Sequence, residues 1–132
     1  MTKDELKQIY YLNNEIHMWQ KELEKICNIS LIKSPIISLT PSTTPNNNDI
    51  VAQLSTKITD IEFIIKDKLR EVELQKEKII TYINEIDDSL MRQIIYYRDI
   101  KLMSWNKVAQ KIGGGNTADS VRKLYSRFLK EK

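Results

Sequence analysis

The run Ser104-Trp105-Asn106-Lys107-Val108-Ala109-Gln110-Lys111-Ile112-Gly113-Gly114-Gly115-Asn116-Thr117-Ala118-Asp119-Ser120-Val121-Arg122-Lys123-Leu124-Tyr125-Ser126-Arg127-Phe128 decides how the whole chain is read. Ser104 can cap a short helix in which Trp105, Val108, Ala109 and Ile112 fall at i, i+3, i+4 and i+7, leaving one apolar face. Ala109 on that face is small enough to let another helix cross closely. Three glycines then end the helix, because glycine tolerates the left-handed backbone that helix termini need. Thr117, or Asn116, caps the next helix, and Asp119 sits in its first turn, where the helix dipole favours an anion. Val121, Leu124, Tyr125 and Phe128 form its inward stripe. The opposite side is centred on Asp119, Lys123 and Ser126, flanked by Arg122 and Arg127. A short helix, a tight turn and a second helix with a basic outer face read as a helix-turn-helix, whose second helix enters the major groove of DNA.

Charge points the same way. Residues 87–132 carry 10 Lys+Arg and 5 acids (net +5), whereas residues 49–86 carry 6 and 8 (net −2) and residues 1–48 carry 5 and 5 (net 0). The surplus that a polyanion would feel therefore lies entirely in the last third.

Upstream of the motif, Asp87, Asp88 or Ser89 can cap a helix running to about Arg98, with Leu90, Ile94 and Tyr97 on one face. The Tyr96-Tyr97 pair is expected to split, one ring inside and one outside. Further back, Val51, Leu54, Ile58, Ile61, Ile65, Lys68, Val72, Gln75, Ile79, Tyr82 and Ile86 alternate spacings of 3 and 4, a coiled-coil stripe beginning near Asn48-Asp49 and interrupted by two polar residues. Ile9, Leu12, Ile16, Trp19, Leu23 and Ile26 repeat the pattern between Asp4 and Cys27. Between these helices, residues 28–49 hold all three prolines, Pro35, Pro41 and Pro45, among Ser, Thr and Asn. That composition predicts a flexible linker of roughly 20 residues, longer than most connections inside compact domains. The second helix is longer than the first, so a hairpin would leave part of its stripe wet. Self-association as a homodimer, or docking of a partner, follows, with Ile9, Leu12, Ile16, Trp19, Leu54, Ile58, Ile61 and Ile65 as the oligomerisation surface; the alternative is a helical hairpin that merely completes a small core.

The stretch Arg92 to Phe128 resembles the fourth conserved region of primary-type bacterial sigma factors, matching at Trp105, Val108-Ala109 and Ile112 and at Thr117 and Ser120-Val121-Arg122. With the two long helices and the Ile86-Asp87-Asp88 joint, the chain looks like the small sigma-region-4-like proteins of phages and prophages of Gram-positive bacteria, some of which regulate late-gene transcription. The resemblance implies binding to double-stranded DNA near promoters, with contact to RNA polymerase, in the bacterial cytoplasm. The turn from Ile112 to Val121 is about two residues longer than in sigma factors, and no region matches those that melt DNA. Modulation of transcription, not initiation, is what the resemblance implies.

The expected DNA contacts are Arg122, Lys123 and Arg127, with Lys107 and Lys111 reaching the backbone from the preceding helix. Asn116, Thr117, Ser120 and Ser126 complete the expected surface, although the first three serve equally as caps. Asp119 suits the helix dipole better than a cytosine amine, and Trp105 and Phe128 read as core.

Catalysis has little support. His17 and Cys27 lie ten residues apart on different parts of one amphipathic helix, and no serine or lysine has a recognisable catalytic setting. Asp87 and Asp88 read as caps, not metal ligands. The glycine run lacks the strand and the Gly-Lys-Ser/Thr ending of a phosphate loop. No cofactor or metal is expected. Apolar runs are only a few residues long, far below the roughly 18 that cross a bilayer, and no signal peptide is apparent.

The sequence thus predicts an all-α protein: a long antiparallel coiled-coil arm over residues 1–86, then a sigma-region-4-like helix-turn-helix domain over residues 87–132. Besides a phage or prophage transcription regulator, two further readings stay open: a small terminase subunit for DNA packaging, and a phage protein that inhibits a host protein by direct binding.

Overall fold

The computed structural model describes residues 1–39 and 46–131, and every regular element among them is helical. Thr2 opens α1 (Lys3–Leu6) by a reciprocal cap: the Glu5 N–H donates to Thr2 Oγ1 at 3.3 Å and the Thr2 N–H to Glu5 Oε2 at 2.9 Å. Lys7 is the joint to α2 (Gln8–Leu39), and α3 follows over Asn46–Asn84. Among the described residues no helix is long and apolar enough to cross a membrane, and no group of three or more His, Cys, Asp or Glu could hold a metal ion.

The expected linker at residues 28–49 is revised at both ends. Helix α2 continues to Leu39 and α3 begins at Asn46, so Asn28 to Leu39 and Asn46 to Asp49 are helical. Pro35 was weighted as a breaker. A proline inside a helix removes one N–H and costs about 3 kcal/mol, so α2 includes Pro35 against its intrinsic preference. Pro41 and Pro45 lie outside the described residues.

At its other end α3 stops at Asn84 with a tightened turn, the Glu85 and Ile86 N–H groups bonding the Tyr82 and Ile83 carbonyls at 3.1 and 3.0 Å. Arg92 reaches back six residues and donates from Nη1 to the Ile86 carbonyl at 2.9 Å. Asp88 caps α4 (Ser89–Ile95) by accepting from the Leu90 N–H. The expected continuation to Arg98 is not α-helical: Tyr96–Ile100 form a π turn, with the Lys101 N–H bonding the Tyr96 carbonyl at 3.1 Å. Leu102 then takes φ 56°, a left-handed conformation costing a non-glycine residue about 1–3 kcal/mol. Ser104 caps α5 (Trp105–Ile112) and Thr117 caps α6 (Ala118–Lys130), at the positions read from the sequence.

Two compact units emerge. One unit joins residues 1–13 to residues 71–132; the other is residues 14–70. In the first, α5 packs on α6 and α4 packs on both. Its core holds Met91, Ile94, Ile95, Val108, Val121 and Tyr125 from the terminal helices, together with Leu6, Ile9, Leu12, Ile79 and Ile83 from outside them. Leu6, Ile9 and Ile79 are 0% exposed, as fully enclosed as Ile94.

In the second unit Ile16, Ile26 and Ile61 are buried, Trp19, Leu54, Ile58 and Ile65 are half-buried, and Lys68 lies 3.8 Å from Glu15. Of the residues assigned to oligomerisation, Ile9, Leu12, Ile16 and Ile61 are therefore already covered within the single chain and offer a partner almost no apolar area. For these four the cover comes from the chain itself.

Replacing Ile9 by Ala is expected to lower unfolding free energy in urea by about 2–5 kcal/mol. The same change should also weaken hydrogen-exchange protection of α4, α5 and α6, nearly 80 residues away or more, because Ile9 seals their core. Protection of those helices left unchanged would contradict this assignment.

Candidate functional site

The α5–turn–α6 segment is held by its own polar residues. The Lys107 N–H donates to Ser104 Oγ at 3.4 Å, opening α5, and the Gly113 N–H closes it on the Ala109 carbonyl at 2.9 Å. Gly113, Gly114 and Gly115 have φ of 69°, 65° and 77°. A Cβ at Gly113 or Gly115 would meet nothing within 4 Å, so glycine is required there by backbone conformation and not by space. Asn116 finishes the turn, its Nδ2 donating to the Gly113 carbonyl at 2.8 Å. Thr117 and Ser120 then cap α6 reciprocally: Ser120 N–H to Thr117 Oγ1 at 3.2 Å and Thr117 N–H to Ser120 Oγ at 3.0 Å.

Three of the nine expected contact residues, Asn116, Thr117 and Ser120, are thus committed to local hydrogen bonds. Arg122, Lys123 and Arg127 stand exposed on α6, and Lys107 and Lys111 stand exposed on α5, where they border a shallow recess of about 370 Å³ with Met103 and Gln110. Asp119 gathers two of these cations, with Arg122 Nη2 at 2.6 Å from Oδ1 and Lys123 Nζ at 3.1 Å from Oδ2. The hydrogen bond from Arg122, then that from Lys123, holds the Asp119 carboxyl below its ordinary value. Such exposed pairs are weak and exchangeable, so both cations can be given up to a phosphate. Ser126 departs from expectation: it is half-buried and lines a different cavity, away from the outer centre of the face.

Inward of α6 lies a polar node that the sequence did not announce. Asp99, on the π turn, is 4% exposed, and the Tyr125 hydroxyl bonds its carboxyl at 2.9 Å to Oδ2 and 3.1 Å to Oδ1. Trp105 packs edge-on against Tyr125 with ring centroids 5.1 Å apart. Arg98 lies over the Trp105 ring at 4.4 Å while donating from Nη1 to the Met103 carbonyl at 2.9 Å. These contacts tie the π turn, the start of α5 and the middle of α6 together. A signal for Asp99 was present: it falls four residues after Ile95, on the side where a helix would bury an apolar residue. His17 is exposed and Cys27 half-buried, so neither forms part of the node.

Burial pushes the Asp99 carboxyl up from 3.8 to about 7, against the opposing effects of the Tyr125 hydrogen bond and the Arg98 and Lys7 charges. Burial likewise raises the Tyr125 hydroxyl, helped by Asp99. The folded value exceeds the unfolded one, so the contribution of Asp99 to stability is complete below about pH 4 and is lost as pH rises through about 7. Asp99→Asn should remove that dependence. Compared by urea unfolding, the wild-type chain is expected to lose stability relative to the variant between pH 5 and pH 8, by an amount on the order of a few kcal/mol. Parallel pH profiles for the two proteins would count against a buried titrating carboxyl.

No protein-family description, no curated protein and no solved structure matches this chain.

Proposed function

We propose that the chain is a sequence-specific DNA-binding transcription regulator of the sigma-region-4-like kind, with α6 as the helix that enters the major groove. The observation that carries this reading is the α5–glycine turn–α6 segment, in which Lys107, Lys111, Arg122, Lys123 and Arg127 are each exposed, in the part of the chain that holds a net charge of +5. Capped ends and a rigidly bonded turn fix those cations relative to one another, as reading a duplex requires. Arg122, Lys123 and Arg127 meet base edges and phosphates, and Lys107 and Lys111 meet the phosphate backbone.

In the same reading α2 and α3 form an antiparallel coiled-coil arm. Glu15 lies beside Lys68, and from there the two helices rise roughly 36 Å to Leu39 and roughly 33 Å back to Asn46. Six residues stretch over roughly 20–25 Å, whereas parallel helices would need them to cover about 70 Å. Ile9, Leu12, Ile16 and Ile61 are occupied within the chain, so a homodimer, or a contact with RNA polymerase, would use other apolar residues. Phe63 at 72% exposed and Met18 at 54% exposed are the foremost candidates.

Binding of the full chain to DNA from upstream of its own operon, followed by fluorescence anisotropy across a salt series, tests the reading. Five phosphate-directed cations predict a slope of log K against log salt near −4.5, and Arg122→Ala, Lys123→Ala and Arg127→Ala together should flatten it by about 2.7. An absence of binding at about 50 mM salt, or binding indifferent to salt, would remove DNA from the account.

A further inference from the structure

A cavity of about 560 Å³ opens between the first helical turns of the chain, the π turn and α6, all within one compact unit. Its size lies in the range of small-molecule sites, roughly 300–1,000 Å³. Four cations line it, Lys3, Lys7, Arg98 and Arg122, against the single carboxyl of Asp99. Arg98 is already engaged by Trp105 and the Met103 carbonyl. Lys3 and Lys7 stand four residues apart, on one face of the first helical turn, and Arg122 approaches from α6, leaving only an exchangeable partner in Asp119. Beside these charges are aromatic rings: Trp105 in the wall, and Tyr10 and Tyr11, each more than half exposed and set edge-to-face at 5.6 Å.

The two kinds of lining ask for different halves of one ligand. Three ammonium and guanidinium groups around a recess suit a phosphate, which Arg and Lys bind by charge-assisted hydrogen bonds. Exposed aromatic faces suit a flat ring, since stacking between a base and an aromatic side chain is sequence-tolerant and favourable. Asp99 receives one hydroxyl hydrogen bond, from Tyr125, and a carboxyl has hydrogen-bonding capacity beyond that. Ser104 and Ser126 add hydroxyls of the kind that meet a sugar. We infer that this cavity binds a nucleoside phosphate, with the phosphate at Lys3, Lys7 and Arg122, the base against Tyr10 and Tyr11 beside Trp105, and the Asp99 carboxyl toward the base edge. The site is separate from the outer surface of α6 but shares Arg122 with it, so the ligand's phosphate and a DNA phosphate would draw on the same guanidinium.

Isothermal titration of the full-length chain with GMP, AMP, guanosine and inorganic phosphate tests the assignment. Emission from a Trp19→Phe variant, in which Trp105 is the sole tryptophan, gives a second readout. The expected result is saturable one-to-one binding of a nucleoside monophosphate with a change in Trp105 emission, and binding at least tenfold weaker for guanosine and for inorganic phosphate. Lys3→Ala with Lys7→Ala should weaken the nucleotide at least tenfold while far-UV circular dichroism stays unchanged; Lys3→Ala alone, at an exposed position, gives the same direction with no demand on folding. The inference is overturned by no saturable binding of any of the four probes up to millimolar concentration. It is equally overturned by nucleotide affinity undiminished in the lysine variants, or by inorganic phosphate binding as tightly as GMP, which would leave only a cationic patch.

Discussion

Helices of seven, eight and thirteen residues cannot enclose a dry core by themselves, and the arrangement of this protein follows from that shortage. A domain of roughly 45 residues lies near the lower limit for independent folding, because too small a fraction of its surface becomes buried. The chain supplies the missing wall from far away in sequence. Leu6 and Ile9 arrive from the amino terminus, and Ile79, Ile83 and Ile86 come from the end of α3, all buried with Ile94, Val108 and Val121. Cooperative stability of the basic terminal helices therefore depends on the long helices as structural members, whatever else those helices contact.

The same borrowing explains how a carboxylate came to be buried. The π turn inserts one extra residue into the α4 register, and the chain leaves it through the strained Leu102. Asp99 faces inward on this turn, where the Tyr125 hydroxyl meets it and Arg98 and Lys7 supply positive charge nearby. A buried carboxyl with a hydroxyl partner is tolerable chiefly in its neutral form, and its shifted titration is the visible cost. In return the node orients Tyr125 and, through it, Trp105, so that α6 is fixed both to the helix before it and to the turn before that. An apolar pair would pack there as well but would specify the crossing less narrowly.

What the sequence made legible was whatever is decided locally. The Ser104 and Thr117 caps, the apolar spacing of Trp105 to Ile112 and the glycine turn are set by residues within a few positions of one another, and the structure has them at the expected places. The Tyr pair divides less sharply than expected, with Tyr96 exposed and Tyr97 only half-buried. Long-range facts stayed hidden. Nothing local marks Leu6 or Ile9 as part of the carboxy-terminal core, since a heptad stripe says that a face is buried without saying against what. The π turn was missed because a one-residue insertion leaves the average helical pattern of Leu90 to Ile100 intact. The linker was overdrawn because proline disfavours a helix interior without excluding it. Of the expected DNA-facing residues, the charged ones are exposed as read. Asn116, Thr117 and Ser120 serve the turn and the cap, the alternative that their chemistry always allowed, whereas Ser126 is half-buried at the cavity.

Asp119 shows how these levels meet. Placed in the first turn of α6, it satisfies the helix dipole, and it also collects Arg122 and Lys123 into one exposed cluster of net charge +1. Such a cluster keeps two long side chains over the helix surface at small energetic gain, so it reduces the entropy that must be lost on binding without competing strongly for the cations. Arg122 is pulled in a second direction by its position at the cavity wall, above the Asp99–Tyr125 node. A single guanidinium thus stands between the exposed cationic face of α6 and the cavity, and an anion at either place would change the field at the other. The coupling needs no moving domain, because the only thing exchanged is the partner of one side chain.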